Sequence, residues 1–333
     1  MTIVLDAADL ADARRFNRKL GRFPRFRIRH QFQVSLIQSL LRLSQMGGNR
    51  TLRRSGLRVN LHLADADGRR VPVRILRPDG EVKGIVLDIH GGGWALGNTR
   101  MNDHLNAAMV RACGVAVMSV EYRLAGPTPV SGLIDDCVAA ARWLLRGGLP
   151  EWRGLPVVVV GESAGAHLAA AMLLRLKAWP ELLGRVAGVV LYYGVYDLAG
   201  TPSVRKAGPE TLVLHGPGLL TDLRRLTPGL SDEERRDPAL SPLYGDLRDL
   251  PPALMVTGTL DPLRDDTLEL SERWRLVGDV EMHLLPESPH GFVHFSTATA
   301  AKVLQRSHEW ISERISKPRQ PASQEAARQA GQA

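Results

Sequence analysis

Cysteine is almost missing from this chain. Only Cys113 and Cys137 occur, both in apolar surroundings. That excludes a disulfide scaffold and leaves two reduced, buried small hydrophobes, the usage expected of a cytoplasmic protein. No apolar run approaches the ~20 residues needed to span a bilayer. The start, Met1-Thr-Ile-Val-Leu-Asp6, has neither the positive region nor the apolar core of a secretory signal. There are no internal repeats, no zinc-finger spacing and no nucleic-acid-binding motif. His290 and His294 are four residues apart, but no third ligand accompanies them, so no metal site is expected.

Acidic residues are missing from one stretch. Arg14, Arg15, Arg18, Lys19, Arg22, Arg25, Arg27 and Arg29 have no acid among them, and Phe16, Phe23, Phe26 and Phe32 are interleaved. Such a segment suits nucleic acid or an anionic membrane surface. The simpler reading is a solvated arm or one face of a covering helix. The whole chain carries 43 basic and 35 acidic residues, a net charge of +8.

What is present points to one large α/β domain. Its 333 residues, 44% hydrophobic and 23% charged, are ordinary for a soluble globular protein. Residues 1–55 read as an appendage. Within them Val34–Met46 places Ile37, Leu40, Leu41 and Ser44 on one helical face, and Gly47-Gly48 ends the helix. These residues are expected to cover the main domain and shape its pocket while adding little to the sheet.

From Leu57 the pattern changes. Leu57, Val59, Leu61 and Leu63 alternate as in an antiparallel edge strand, and Asp67-Gly68 signals a hairpin to Val71–Leu76. A central strand follows over Gly84–His90. Strands then alternate with helices: Val115–Val120, Val157–Val160, Val189–Tyr193, Ala253–Gly258 and Glu281–Leu285, with a last helix near 298–315. This order predicts a mostly parallel sheet covered on both faces, with its site at the carboxyl ends of the strands. The core spans 56–198 and 238–316. Residues 199–237, rich in Gly, Pro and charge and holding a short helix over Thr221–Leu226, read as an insertion over the site. A disordered tail is expected from 317 to 333.

The chain is organised around Val157–Ala171, where four valines meet Gly161-Glu162-Ser163-Ala164-Gly165 and then an Ala- and Leu-rich run. A strand turning directly into a helix must bend sharply. Glycines flanking the central serine let backbone approach backbone, and the serine hydroxyl is lifted clear. Upstream, His90-Gly91-Gly92-Gly93-Trp94 ends a strand with three glycines, which suits a loop whose amides face an oxyanion. Gly91, Gly92 and Gly93, with Ala164, are the candidate donors.

A serine nucleophile needs a base and the base needs a carboxylate. Asp261 and His290 each follow a strand end, in the chain order this architecture uses. Spacing alone leaves competitors. Asp265 and Asp266 sit in the first turns of the next helix and are expected to serve its N-terminus. His283 lies inside a strand, and His294 follows closely. His90 is expected to hold its own loop.

His90-Gly-Gly-Gly-Trp94, Glu121-Tyr-Arg-Leu-Ala125, Gly161-Glu-Ser-Ala-Gly165, Ser241-Pro-Leu243, Leu250-Pro-Pro-Ala253, Asp261-Pro-Leu-Arg-Asp265 and His290-Gly-Phe292 occur in one order. From about Gly84 to about Trp310 the chain resembles the hormone-sensitive-lipase-like family of α/β-hydrolases. The resemblance implies an α/β-hydrolase fold with a helical cap, built from N-terminal helices and a mid-chain insertion. It implies a nucleophile at Ser163, an acid at Asp261 and a base at His290. Oxyanion donors would come from the Gly91–Gly93 loop and Ala164, and no cofactor is required. The family usually continues Pro-Glu after Tyr-Arg-Leu-Ala, whereas here Gly126-Pro127-Thr128-Pro129-Val130 follows.

The expected activity is hydrolysis of short- to medium-chain carboxylic esters through an acyl-enzyme. Amide or lactone hydrolysis with the same residues is the alternative, as is a lipase docking on lipid. A ligand-binding scaffold would be expected to lack a triad residue. The expected partner is a small-molecule ester, with no nucleic acid, a membrane surface disfavoured, and a homodimer left open.

Overall fold

The computed structural model describes residues 3–27 and 31–316. The expected tail and Arg29 lie outside them. Eight strands form one sheet: β1 (Leu57–Ala66), β2 (Arg69–Pro78), β3 (Ile85–Ile89), β4 (Ala116–Val120), β5 (Val157–Glu162), β6 (Val186–Tyr192), β7 (Ala253–Gly258) and β8 (Val280–Leu285). Their order is β1-β2-β4-β3-β5-β6-β7-β8. β1 pairs antiparallel with β2, and β2 with β4; every later pairing is parallel. Asp67 and Gly68, at φ of 52° and 75°, make the turn of the β1–β2 hairpin.

Before the sheet lie α1 (Ala7–Leu20), α2 (Gln31–Ser44) and α3 (Gly48–Arg54). Between strands run α4 (Asp103–Cys113), α5 (Val130–Leu145), α6 (Ala164–Leu176) and α7 (Pro180–Leu183). The insertion contains α8 (Pro202–Arg205), α9 (Gly216–Leu226) and α10 (Asp232–Arg235). α11 (Arg264–Arg275) and α12 (Ala298–Ser316) are the last helices of the described residues.

Successive strand residues point to opposite faces, so each strand feeds two cores. Leu87, Val159 and Met255 pack with Leu133 of α5, Leu168 of α6 and Trp274 of α11. Val86, Val158 and Leu254 pack with Met109 of α4 and Val303 and Trp310 of α12. The central strands β3, β4 and β5 are buried along their full length. That is why they read as largely apolar runs, broken only by Asp88 and Ser119, which hydrogen-bond each other, and by Glu162 at the end of β5.

Two amphipathic assignments shift in the structure. Along β1, Leu57 is buried, but Leu61 is 73% and Leu63 41% exposed. These residues share one side of the sheet, where the seven-residue α3 covers only the beginning of the strand. The buried positions further along are Ala64 and Ala66, on the opposite face with α5. In α2 the buried residues are Val34 and Gln38, with Ile37 and Leu41 half-buried, while Leu40 and Ser44 are exposed. Gln38 exchanges two hydrogen bonds with the backbone of Gly97, and Gln45 accepts one from Asn98. Burying the Gln38 amide unpaired would be costly, and Gly97 pairs it, so the helix turns Gln38 inward and Leu40 outward.

The first helices are fastened to the rest of the molecule. Phe16 stacks on Phe295 at 4.8 Å, Lys302 donates to Asp9, and Asn17 donates to the Glu287 carbonyl. The segment between α1 and α2 also pairs with the insertion. The Phe26 amide donates to Val213, the His215 amide donates to Phe26, and Arg25 donates to the Thr211 carbonyl.

Candidate active site

β5 ends at Glu162 and α6 begins at Ala164, leaving Ser163 alone at the turn with φ 52° and ψ −121°. A non-glycine residue in this region costs on the order of 1–3 kcal/mol. The surroundings enforce it. A Cβ on Gly161 would come within 2.6 Å of the Gly165 carbonyl oxygen, and one on Gly165 within 2.0 Å of the Ile89 carbonyl oxygen. The Ser163 amide is tied to the Tyr192 carbonyl. Its hydroxyl therefore stands above the carboxyl ends of β3, β5 and β6.

Asp261 follows β7 and is buried. Its Oδ1 accepts from the Leu263 amide at 2.8 Å, and its Oδ2 lies 2.9 Å from His290 Nδ1. His290 Nε2 lies 2.9 Å from Ser163 Oγ. Three residues far apart in sequence thus form one continuous hydrogen-bonded chain. Gly258 permits the loops to cross, since a Cβ there would fall 1.9 Å from the Ser288 carbonyl oxygen. The ring of Tyr193 meets that of His290 edge-on at 4.9 Å.

The competing residues have other partners. Asp266 Oδ1 accepts from the Tyr196 and Asp197 amides and its Oδ2 from the Thr201 hydroxyl; Asp265 accepts from the Ser203 amide. Both lie in the first turn of α11, as the spacing suggested, and their hydrogen bonds also hold the chain leaving β6. Burial raises the Asp266 carboxyl to about 7, against the pull of those donors. His283 bonds Glu281 within β8.

The glycine loop lies against the elbow. Gly92 has φ 110°, and a Cβ there would sit 2.2 Å from the Leu96 carbonyl oxygen; Gly93 and Trp94 both have φ 59°. The Gly91 amide helps to hold down the Glu162 carboxylate. Among the described residues, the Gly92, Gly93 and Ala164 amides have no protein acceptor. His90 stacks on Tyr122 at 4.3 Å, and the Tyr122 hydroxyl donates to the His90 carbonyl, fixing the base of the loop. Trp94 Nε1 donates to His167 Nδ1 at 3.1 Å, and His167 Nε2 meets the Leu240 carbonyl at 2.7 Å. Burial holds His167 down at about 4, so it stays neutral and serves both bonds.

One buried pair escaped the sequence reading. His294 Nε2 lies 2.5 Å from Glu162 Oε2, and the Tyr193 hydroxyl donates to the same oxygen at 3.0 Å. Burial pushes Glu162 upward, but the hydrogen bond and charge of His294, with Tyr193 and the Gly91 amide, hold it at about 2. His294 loses some basicity to burial and regains more from Glu162, ending above its ordinary value. Its four-residue spacing from His290 drew attention to metal binding, while its carboxylate partner lies beside Ser163 itself.

Ser163 opens into a cavity of about 490 Å³. Gly93 and Trp94 form one wall and Pro127–Pro129 another. Val34 of α2 and Leu219 and Leu223 of α9 line it as well. Most of the lining is apolar; Asp222, paired with Arg225, is an exception.

Residues 86–294 match the family described as alpha/beta hydrolase fold. The chain is 33% identical over 257 residues to a carboxylesterase, NlhH, of Mycobacterium tuberculosis, covering 74% of this chain and 78% of that one. The chain belongs to the hormone-sensitive-lipase-like α/β-hydrolases. It is also 34% identical over 201 residues to an acetyl-hydrolase of Streptomyces hygroscopicus, covering 60% of this chain and 64% of that protein, just under two thirds. Among solved structures, this α/β-hydrolase is similar to a bacterial heroin esterase. The identity is 27% and the TM-score 0.79, over 94% of this chain and 98% of that one.

Proposed function

We propose that this α/β-hydrolase is a serine carboxylester hydrolase acting through an acyl-enzyme on short- to medium-chain esters. The observation that carries the reading is the Ser163–His290–Asp261 chain, with its two 2.9 Å links, at the floor of an apolar cavity. In this reading Ser163 Oγ attacks the ester carbonyl carbon as His290 Nε2 takes its proton. His290 then returns the proton to the departing alcohol and activates water for deacylation. Asp261 accepts a hydrogen bond from Nδ1–H, staying ionised, and so orients the ring and stabilises the imidazolium.

The oxyanion would be received by the free Gly92, Gly93 and Ala164 amides, the last at the positive end of α6. Gly91 stays a candidate donor beside them, its amide also close enough to the Glu162 carboxylate to help hold it down. Residues 1–55 and 199–237 would form the cap, supported by the Phe26–Leu214 bridge that joins them over the cavity. The two free, buried cysteines fit a reducing, cytoplasmic setting.

The test is a hydrolysis profile over p-nitrophenyl esters of rising acyl length, run beside Ser163→Ala and a serine-reactive phosphonate. Short to medium esters should be cleaved, Ser163 alone should be labelled, and Ser163→Ala should be folded and inactive. A preference for amides or lactones over esters, or labelling of another serine, would overturn the reading.

A further inference from the structure

α2 carries two apolar stripes, and only one faces the protein. Val34, Ile37 and Leu41 turn inward, and Val34 reaches the cavity. Phe32, Leu36, Leu40 and Leu43 recur at helical spacing on the opposite side and are 79%, 51%, 56% and 62% exposed. Met46, just past the helix, is equally uncovered, as is Phe23 in the loop after α1. A continuous row of large side chains in water marks an interaction surface.

Its charge narrows the partner. No Asp or Glu occurs between Asp12 and Asp65. Within that interval Arg22, Arg42, Arg50, Arg53 and Arg54 are exposed, and among the described residues none has a carboxylate partner. Elsewhere arginines are commonly paired, as Arg123 is with Asp136, Arg205 with Asp232 and Arg306 with Glu281. A second copy seated face to face would set these cations against each other. Nucleic acid would meet the arginines but leave the leucine row without a complementary partner. An apolar ridge on a helix that carries Arg42 and is followed by Arg50, Arg53 and Arg54 on α3, with no acid among them, is matched by the acyl and headgroup regions of an anionic bilayer.

We propose that the outer face of α2 is an interfacial docking surface for anionic lipid membranes. The helix would lie along the headgroup boundary with Phe32, Leu36, Leu40 and Leu43 in the acyl region and the arginines at the phosphates. Because the inner face of the same helix lines the cavity, docking would place the cavity next to the lipid surface.

The test is co-sedimentation of the full chain with vesicles of phosphatidylcholine alone or mixed with phosphatidylglycerol. Binding to the mixed vesicles is expected, falling about ten-fold or more on phosphatidylcholine alone and in 1 M salt. Leu36→Gln/Leu40→Gln/Leu43→Gln should weaken it comparably with little change in melting temperature, since the three side chains are more than half exposed and glutamine is nearly as good a helix former. Arg42→Gln/Arg50→Gln/Arg53→Gln should weaken it and flatten the salt dependence. Ser163→Ala should bind as the parent does, so membrane docking is read independently of hydrolysis. Absence of binding to phosphatidylglycerol vesicles, or binding that the leucine variant leaves intact, would overturn the proposal. So would a parent dimer that the leucine variant dissociates, which would give this face to a second copy.

Discussion

Gln38 and Gly97 are joined by a pair of hydrogen bonds running in opposite directions. The Gln38 side-chain amide donates to the Gly97 carbonyl at 2.8 Å, and the Gly97 amide donates back at 3.0 Å. A covering helix is thereby fastened to the loop that begins at His90. Gly97 itself, at φ 113°, sits where a Cβ would fall 2.5 Å from the His90 ring. Gln38 thus braces the glycine loop from outside, as Tyr122 does from beneath.

Removing that brace should be measurable. Gln38→Leu leaves the buried Gly97 amide and carbonyl unpaired, at a cost of about 1–3 kcal/mol. We expect a lower melting temperature and a fall in kcat/KM carried mainly by kcat, because the nearby amides lose their fixed position. For the same reason, a chain lacking residues 1–46 should react more slowly with a phosphonate at Ser163. That deletion also removes Asn17, which holds the Glu287 carbonyl just before His290. Labelling at the parent rate would show that these contacts do not matter to the site.

Asp261→Asn should lower turnover by roughly 10⁴-fold if its role matches the serine-protease precedent, because the asparagine disturbs the His290 tautomer. Asp266→Asn should act chiefly on stability, since Asp266 holds the Tyr196 and Asp197 amides away from the reacting groups. Comparing kcat with urea midpoints for both variants separates the two roles. A dead but stable Asp266→Asn would contradict the assignment.

The Glu162–His294 pair predicts a pH signature. His294 is raised in the folded state, so its stabilisation is fully present below about pH 6.5 and fades as pH rises through the folded value. Glu162 is held down at about 2, so its contribution is present above its unfolded value near 4.5 and fades as pH falls toward 2. Both are in force between those unfolded values. His104, 5.3 Å from His294 and itself lowered by burial and by that neighbour's charge, stays the less basic of the two. His294→Ala leaves Glu162 buried beside Tyr193 without its cation, which should cost about 3 kcal/mol. The difference in urea midpoint between parent and variant should peak near pH 5–6. A difference that is flat with pH would remove the ion pair from the account.

Leu219→Trp should shorten the accepted chain. Leu219 lines the cavity, and a larger side chain there fills space that an acyl group would use. Activity on longer esters should drop on the order of ten-fold relative to acetate, read from kcat/KM across the ester series. An unchanged profile would place the acyl chain elsewhere.

The sheet was legible in the sequence because its signals are local. Four valines before Gly161 can only be a buried strand in this setting, and Gly161 and Gly165 flank Ser163 because backbone oxygens crowd both positions. Asp261 and His290 announced themselves by following strand ends. What the sequence could not convey was which of two plausible faces an element buries. Leu40 outranks Gln38 in hydrophobicity, yet Gln38 is inside, because Gly97, far along the chain, offers it two hydrogen bonds. Leu61 fits a buried alternation, yet it faces water because α3 is too short to reach it. Glu162 and His294 look unrelated until β5 and the loop after β8 bring them together. The local chain therefore determined the strands, the elbow and the candidate catalytic residues. Only the tertiary structure decided which amides are spoken for, which apolar stripe is covered and which charges meet, because each depends on partners distant in sequence.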